Sequence, residues 1–279
     1  MNTLRKLTLR IILLMIALTP AAHADVLVLV HGWMSNGDTW IRNGVMQALQ
    51  SKGWSDAGLI ISSPAGIHHT PAPQQQTSKN IAYRTHLPAE APLQLQAAHL
   101  FAQLQYIQQK HPTEQITLVG HSAGGVVARL VVVRPEKLNI KSLITIATPN
   151  LGTGRAIQGL DIADSKPFFC PGPGIDFLKE IVGGSDYRYL KHSRGALVGL
   201  TPAVPGSLIG WLNQQPHPDI KYHAIVRNNG AGDELVPGFS QDLNQVPALK
   251  GKAKVHSTPA AHFLNPADGH LLAQILAAE

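Results

Sequence analysis

The chemistry in this chain starts at Gly120-His121-Ser122-Ala123-Gly124, a G-x-S-x-G pattern with an apolar strand-like run at 116–119 before it and a helix-compatible run at 125–130 after it. A serine on a tight strand-to-helix turn exposes its hydroxyl, and Gly120 and Gly124 are needed because a side chain two residues away would collide with the strand or the helix. A serine hydroxyl is a poor nucleophile at neutral pH. It needs a base to take its proton and a carboxylate to hold that base in the useful tautomer. Asp233, in Gly230-Ala231-Gly232-Asp233-Glu234-Leu235-Val236-Pro237, follows a strand pattern at 222–226 and so falls in a loop at a strand's carboxyl end, where such sites are built. Glu234 is its main rival, and Asp242, in what reads as the following helix, a weaker one. Three histidines come later: His256 inside the last strand pattern, His262 in the loop after it, and His270 early in the final helix. The loop position suits a base, and Phe263, Leu264 and Pro266 could keep the ring partly dry. Ser122, Asp233 and His262 are therefore the expected catalytic set, with His256 and His270 as surface histidines and His121 positional. An attack by Ser122 on a carbonyl develops an oxyanion, which two preorganised backbone N–H groups can stabilise. Ala123 would supply one and Trp33, in His31-Gly32-Trp33 after the first strand, the other, with Gly32 allowing the backbone to approach.

The elements that must position these residues are short β-rich runs at 26–30, 59–62, 116–119, 143–147, 222–226 and 254–256, alternating with helical patterns. This alternation predicts an α/β fold with a mostly parallel sheet and helices on both faces. Leu93, Ala97, Leu100, Leu104 and Ile107 recur at steps of four and three within 92–111, one face of a helix that should pack on the sheet. A last helix is predicted over 266–278, with Asn265 as cap and Pro266 at the first helical position. Two regions break the alternation: 63–91, rich in Pro, His and Gln, and 150–220, where Gly and Pro mix with apolar clusters. The second is too long for a plain crossover and reads as a cap or lid-like insertion beside the site. Its Phe168, Phe169, Phe177, Leu178, Ile181, Leu208, Ile209, Trp211 and Leu212 are expected to wall the site, with Phe168 and Phe177 as acyl-binding candidates.

Residues 1–24 read as a secretory signal: Arg5, Lys6 and Arg10 precede the apolar run 11–18, and Ala22-His23-Ala24 offers a cleavage site before Asp25. The apolar run is far shorter than the roughly 20 residues that span a bilayer. An exported protein, periplasmic or extracellular, is expected, with 25–279 forming one domain. Cleavage removes three of the 23 basic residues and none of the 17 acids, so the formal charge falls from +6 to +3 and nucleic-acid binding has little support. The single cysteine, Cys170, cannot form an intrachain disulfide and reads as a buried thiol.

Val28-Leu29-Val30-His31-Gly32, Gly120-His121-Ser122-Ala123-Gly124-Gly125, Thr148-Pro149-Asn150-Leu151-Gly152-Thr153 and Asp233-Glu234-Leu235-Val236-Pro237 together resemble the α/β-hydrolase superfamily. Within it they are similar to the small secreted bacterial lipases and their GPI inositol-deacylase-like relatives. The resemblance covers most of the mature chain and is thin over 63–91 and 155–215. It implies a compact, six-stranded variant of the fold, because Asp25 would begin at what is the third strand of the full fold. It also implies a serine hydrolase acting on acylglycerols or similar lipid esters, without cofactor. The lone cysteine departs from the disulfide of larger foldase-dependent lipases, and no Asp cluster marks a calcium site, so no metal is expected. His-Gly followed by a bulky residue, instead of the Gly-rich run of many short-chain esterases, tilts the resemblance toward lipases. The implied partner is a small-molecule or lipid ester, with transient contact to a membrane or lipid interface. The alternatives are another acyl transfer on the same machinery (thioesterase, amidase, polyester depolymerase or acyltransferase) and, least favoured, a non-catalytic exported binding protein.

Overall fold

A computed structural model describes residues 25–73, 78–164, 187–230 and 232–279. The expected signal at 1–24 lies outside these residues, as do Cys170, Phe168, Phe169, Phe177, Leu178 and Ile181. Eight strands form one sheet: β1 Val26–Val30, β2 Trp54–Ser63, β3 Gly66–Thr70, β4 Asn80–His86, β5 Ile116–His121, β6 Ile140–Ile146, β7 Lys221–Arg227 and β8 Ala253–Thr258. Their order is β3-β2-β4-β1-β5-β6-β7-β8, antiparallel between β2 and β3 and parallel in every other pair.

The sheet corrects the six-stranded expectation. The two extra strands lie in the Pro/His/Gln-rich region, where no apolar run announces them. In β4, Arg84 and Thr85 are buried because their polar groups have partners: Arg84 pairs with Asp38 at 2.7 Å and Asp56 at 3.3 Å, and Thr85 Oγ1 donates to the Leu29 carbonyl at 3.0 Å. β3 is a mostly exposed edge strand containing His68 and His69, so hydrophobic patterning has no purchase on it.

β1 is buried on both faces, hence its unbroken apolar run. Val26, Val28 and Val30 point into one core, Leu27 and Leu29 into the other. The first core takes α3 (Leu93–Lys110) and α4 (Ala123–Val132), preceded in the chain by α1 (Thr39–Arg42) and α2 (Val45–Gln50), which lie on the opposite face. The segment from 150 to 220 contributes α5 (Gly154–Asp164), α6 (Tyr187–His192), α7 (Arg194–Gly199) and α8 (Leu208–Gln214). Short α9 (Gly238–Gln241) follows β7, and α10 (Pro266–Ala277) closes the chain against the face that carries α2. Asn265 caps α10 as predicted: its Oδ1 accepts from the Ala267 N–H at 2.9 Å, and Asp268 Oδ2 accepts from the Asn265 N–H at 2.9 Å.

A second correction concerns the apolar wall. Ile209 and Leu212 are fully buried in the α3/α4-side core, Leu208 packs against that core, and Trp211 is exposed. Leu208, Ile209 and Leu212 therefore pack into the domain, and none of the four lines the cavity over Ser122. Among the described residues of this segment, those that line the cavity over Ser122 are Thr153, Leu200 and residues of α5 and α7.

Candidate active site

Ser122 joins β5 to α4 with φ 52° and ψ −127°, a conformation that L-residues rarely adopt. Two backbone hydrogen bonds hold it, from the Ser122 N–H to the Ile146 carbonyl at 2.8 Å and from the Gly125 N–H to the Ser122 carbonyl at 3.0 Å. The flanking glycines are sterically required: a Cβ on Gly120 would run into the Gly125 backbone, and one on Gly124 into the carbonyls of Val30 and His31. The turn thus presses α4 against the end of β1 and leaves the serine side chain projecting.

The three residues picked out in the sequence form one hydrogen-bonded chain. His262 Nε2 lies 2.9 Å from Ser122 Oγ, and His262 Nδ1 lies 2.7 Å from Asp233 Oδ2. A neutral ring with its hydrogen on Nδ1 serves both bonds, donating to Asp233 and accepting from the Ser122 hydroxyl. Asp233 Oδ1 accepts from the N–H groups of Leu235 (2.9 Å) and Val236 (3.1 Å). Burial pushes the Asp233 carboxyl up, but the His262 hydrogen bond and charge, with the two N–H groups, outweigh it and hold the carboxyl below the usual range. Glu234 is exposed and Asp242 caps a short 3₁₀ turn, accepting from the Asn244 N–H at 2.8 Å, so neither meets His262. His256 stacks on His223 on the far strands and His270 is an exposed residue of α10, both away from Ser122.

Several buried groups that patterning did not single out hold this chain in place. Gln241, at the end of α9, donates from Nε2 to Asp233 Oδ2 (3.0 Å) and the Val236 carbonyl (2.7 Å), while its Oε1 accepts from the Arg227 N–H (2.8 Å). Arg227 forms a fully buried bidentate pair with Asp268 at 2.6 and 2.8 Å and reaches the Phe263 carbonyl at 3.4 Å. The loop carrying His262 is thereby fastened to β7 and to the start of α10. His121 donates from Nε2 to the His262 carbonyl at 2.9 Å, which makes it positional as expected. Burial first, then the neighbouring His262, lowers the His121 pKa to about 3, so the ring stays neutral. The signal available in the sequence was the placement of polar residues beside strand ends. That signal does not distinguish a buried network from a solvated loop.

The loop after β1 approaches the elbow closely: a Cβ on Gly32 would sit 3.0 Å from the His121 carbonyl and 3.0 Å from Ser122 Cβ. His31 anchors this loop, donating from Nδ1 to the Gly32 carbonyl (2.9 Å) and accepting at Nε2 from the Leu87 N–H (3.0 Å). Burial lowers its pKa to about 4. The Ala123 N–H opens α4 and so has no intrahelical acceptor, which leaves it available to a ligand beside Ser122. Trp33 lines the same cavity and packs against Tyr189, with ring centroids 5.9 Å apart.

The cavity over Ser122 has a volume of about 760 Å3 and mostly apolar walls, among them Ala156, Leu197, Leu200, Leu235 and Val236. Phe263 stands at its edge, 58% exposed and edge-on to the His262 ring. Among the described residues, no group of three or more His, Cys, Asp or Glu side chains is arranged to hold a metal ion.

A serine on a tight turn at the end of a central parallel strand, with an aspartate and a histidine on the loops after later strands, fits an α/β-hydrolase architecture. The chain belongs to that family, described as alpha/beta hydrolase fold, which matches residues 25–165. Among solved structures it is similar to the mature form of a Bacillus licheniformis lipase, at 18% identity and TM-score 0.61 over 94% of each chain. A lipase-esterase related protein from Clostridium acetobutylicum is similar at 12% identity and TM-score 0.53, over 92% of this chain and 95% of that one. A bromoperoxidase from Bacillus anthracis is similar at 14% identity and TM-score 0.51, over 91% of each chain. At these identities the likeness is one of fold. Among curated proteins, none matches the chain.

Proposed function

We propose that this hydrolase cleaves carboxylic esters, lipid esters above all, with Ser122 as nucleophile, His262 as base and Asp233 as the acid. The observation that carries the reading is the continuous hydrogen-bonded chain from Ser122 Oγ through His262 to Asp233, on a turn that is otherwise unfavourable for serine. His262 Nε2 takes the hydroxyl proton as Oγ bonds to the ester carbonyl carbon. The N–H groups of Trp33 and Ala123 stabilise the oxyanion. Collapse breaks the bond to the leaving oxygen, which receives the proton from His262 and departs as the alcohol, leaving an acyl-serine. Water then repeats the sequence and releases the acid.

The apolar cavity supports a substrate with a hydrocarbon portion, since each buried methylene is worth about 0.8 kcal/mol. We further propose export through 1–24, a reading that rests on Arg5, Lys6 and Arg10, the apolar run 11–18 and Ala22-His23-Ala24 before Asp25. Labelling with a fluorophosphonate probe, followed by a panel of 4-nitrophenyl esters, thioesters and anilides, tests the reading. Labelling of the wild type but not Ser122→Ala, with esters cleaved best, is the expected result. Loss of the ester preference would move the assignment to another acyl transfer, and no labelling would overturn the serine mechanism.

A further inference from the structure

The mouth of the cavity is not electrically neutral. Its α1 side presents Thr39, Arg42 and Asn43, and among the described residues lining the cavity none is Asp or Glu. Asn43 is turned back onto Thr39, with Nδ2 2.9 Å from its carbonyl and 3.0 Å from its Oγ1. Arg42 is exposed, and the partner of its Nη2 is a neutral oxygen, Asn36 Oδ1, at 3.2 Å. The acid one turn back on the same side, Asp38, is drawn instead to Arg84 at 2.7 Å. The other guanidinium on the lining, Arg155, is engaged with the Glu234 carbonyl and Gln158 Oε1, each at 2.8 Å, and so braces α5 against the Asp233 loop. Arg42 thus forms no ion pair among the described residues, and it stands where a ligand would leave the apolar cavity for solvent. A guanidinium beside low-dielectric walls attracts an anion more strongly than it would in bulk water.

We propose that Arg42 selects amphiphilic esters that carry an anionic group, a carboxylate, sulfate or phosphate, held at the cavity mouth while the hydrocarbon part lies against Leu197, Leu200 and Val236. This inference rests on the ester-hydrolase reading above and adds the substrate's charge to it. The reading would survive if the charge preference were absent.

The test compares kcat/KM for three chromogenic esters: 4-nitrophenyl octanoate, its analogue with a terminal carboxylate on the acyl chain, and 3-carboxy-4-nitrophenyl octanoate, which carries the charge on the leaving group. Wild type, Arg42→Gln, Arg42→Glu and Arg42→Lys are measured at low and high salt. In at least one of the two charged arms the anionic-to-neutral ratio should fall about 3- to 5-fold in Arg42→Gln, the size expected of a partly exposed ion pair. It should fall further in Arg42→Glu, return largely in Arg42→Lys, and shrink toward the Arg42→Gln value at high salt. Activity on the neutral ester should be little changed throughout. Equal ratios in all four proteins, in both arms, would make Arg42 an ordinary surface cation and overturn the proposal. Failure of wild type to cleave any of the three esters would instead overturn the ester-hydrolase reading and the inference with it.

Discussion

At the scale of single residues, the candidate site is built from side chains that are chemically unusual where they stand. Ser122 between two glycines at a strand end and Asp233 at the end of a later strand are hard to explain as packing or as solvated surface. Its place after a strand's carboxyl end already favours Asp233 over Glu234 in the sequence, and the loop's conformation separates the two. The structure turns Asp233 inward to four donors, and leaves the Glu234 side chain exposed with its carbonyl bound by Arg155. Asp233→Asn should therefore lower kcat by a factor on the order of 10⁴, since an amide cannot hold His262 in the tautomer that accepts from Ser122. Glu234→Gln should leave kcat within about twofold, as it changes a solvated group. Steady-state kinetics on a 4-nitrophenyl ester checks both, and a reversal of the two effects would move the acid by one residue.

Elements were legible in proportion to their apolar content. The runs at 26–30 and 116–119 gave β1 and β5 because both faces of those strands are buried, whereas β4 escaped notice because its interior includes an arginine and a threonine satisfied by partners distant in the chain. The same limit hid Gln241 and Arg227, whose burial depends on tertiary partners. Two predictions belong here. In Gln241→Glu the shape is kept but a second carboxylate is set against Asp233 Oδ2, where the amide N–H now sits 3.0 Å away. Like charges in contact raise the apparent pKa of the pair, so the acid limb of the pH–rate profile should move up by about one unit or more and the rate at neutral pH should fall. A profile that overlays the wild type would deny Gln241 a positioning role. In Asp268→Asn the fully buried Arg227 loses its countercharge, which should destabilise the fold by about 3–5 kcal/mol in urea unfolding. A loss under about 1 kcal/mol would mean that Thr258 and the Phe263 carbonyl suffice to hold the guanidinium.

For the molecule as a whole, the site and the stability of the fold share buried histidines, and this sets how the protein responds to acid. His31 and His121 are both buried, with pKa values lowered to about 4 and about 3 by desolvation first. An unfolded chain binds protons on these rings near their ordinary value of about 6.5, while the native state refuses them until well below it. Between those limits the unfolded state holds more protons, so stability must decline as pH falls from about 6.5 toward 4. Asp233 acts in the same direction at lower pH: its native pKa is depressed, so the stability it contributes is lost as pH falls through that depressed value. The geometry says which contact fails first. His31 Nε2 accepts from the Leu87 N–H, and a proton on that nitrogen would set donor against donor. The loop it anchors carries Gly32 and Trp33 beside the elbow. The urea midpoint should therefore drop between pH 7 and pH 4.5, by an amount on the order of a few kcal/mol in unfolding free energy. His31→Gln should be less stable than wild type at pH 7, having lost a fitted buried group, yet show a shallower decline with acid because one proton-linked site is gone. An equal slope in the two proteins would place the acid sensitivity elsewhere. A wild-type midpoint that stays level down to pH 4.5 would refute the linkage altogether.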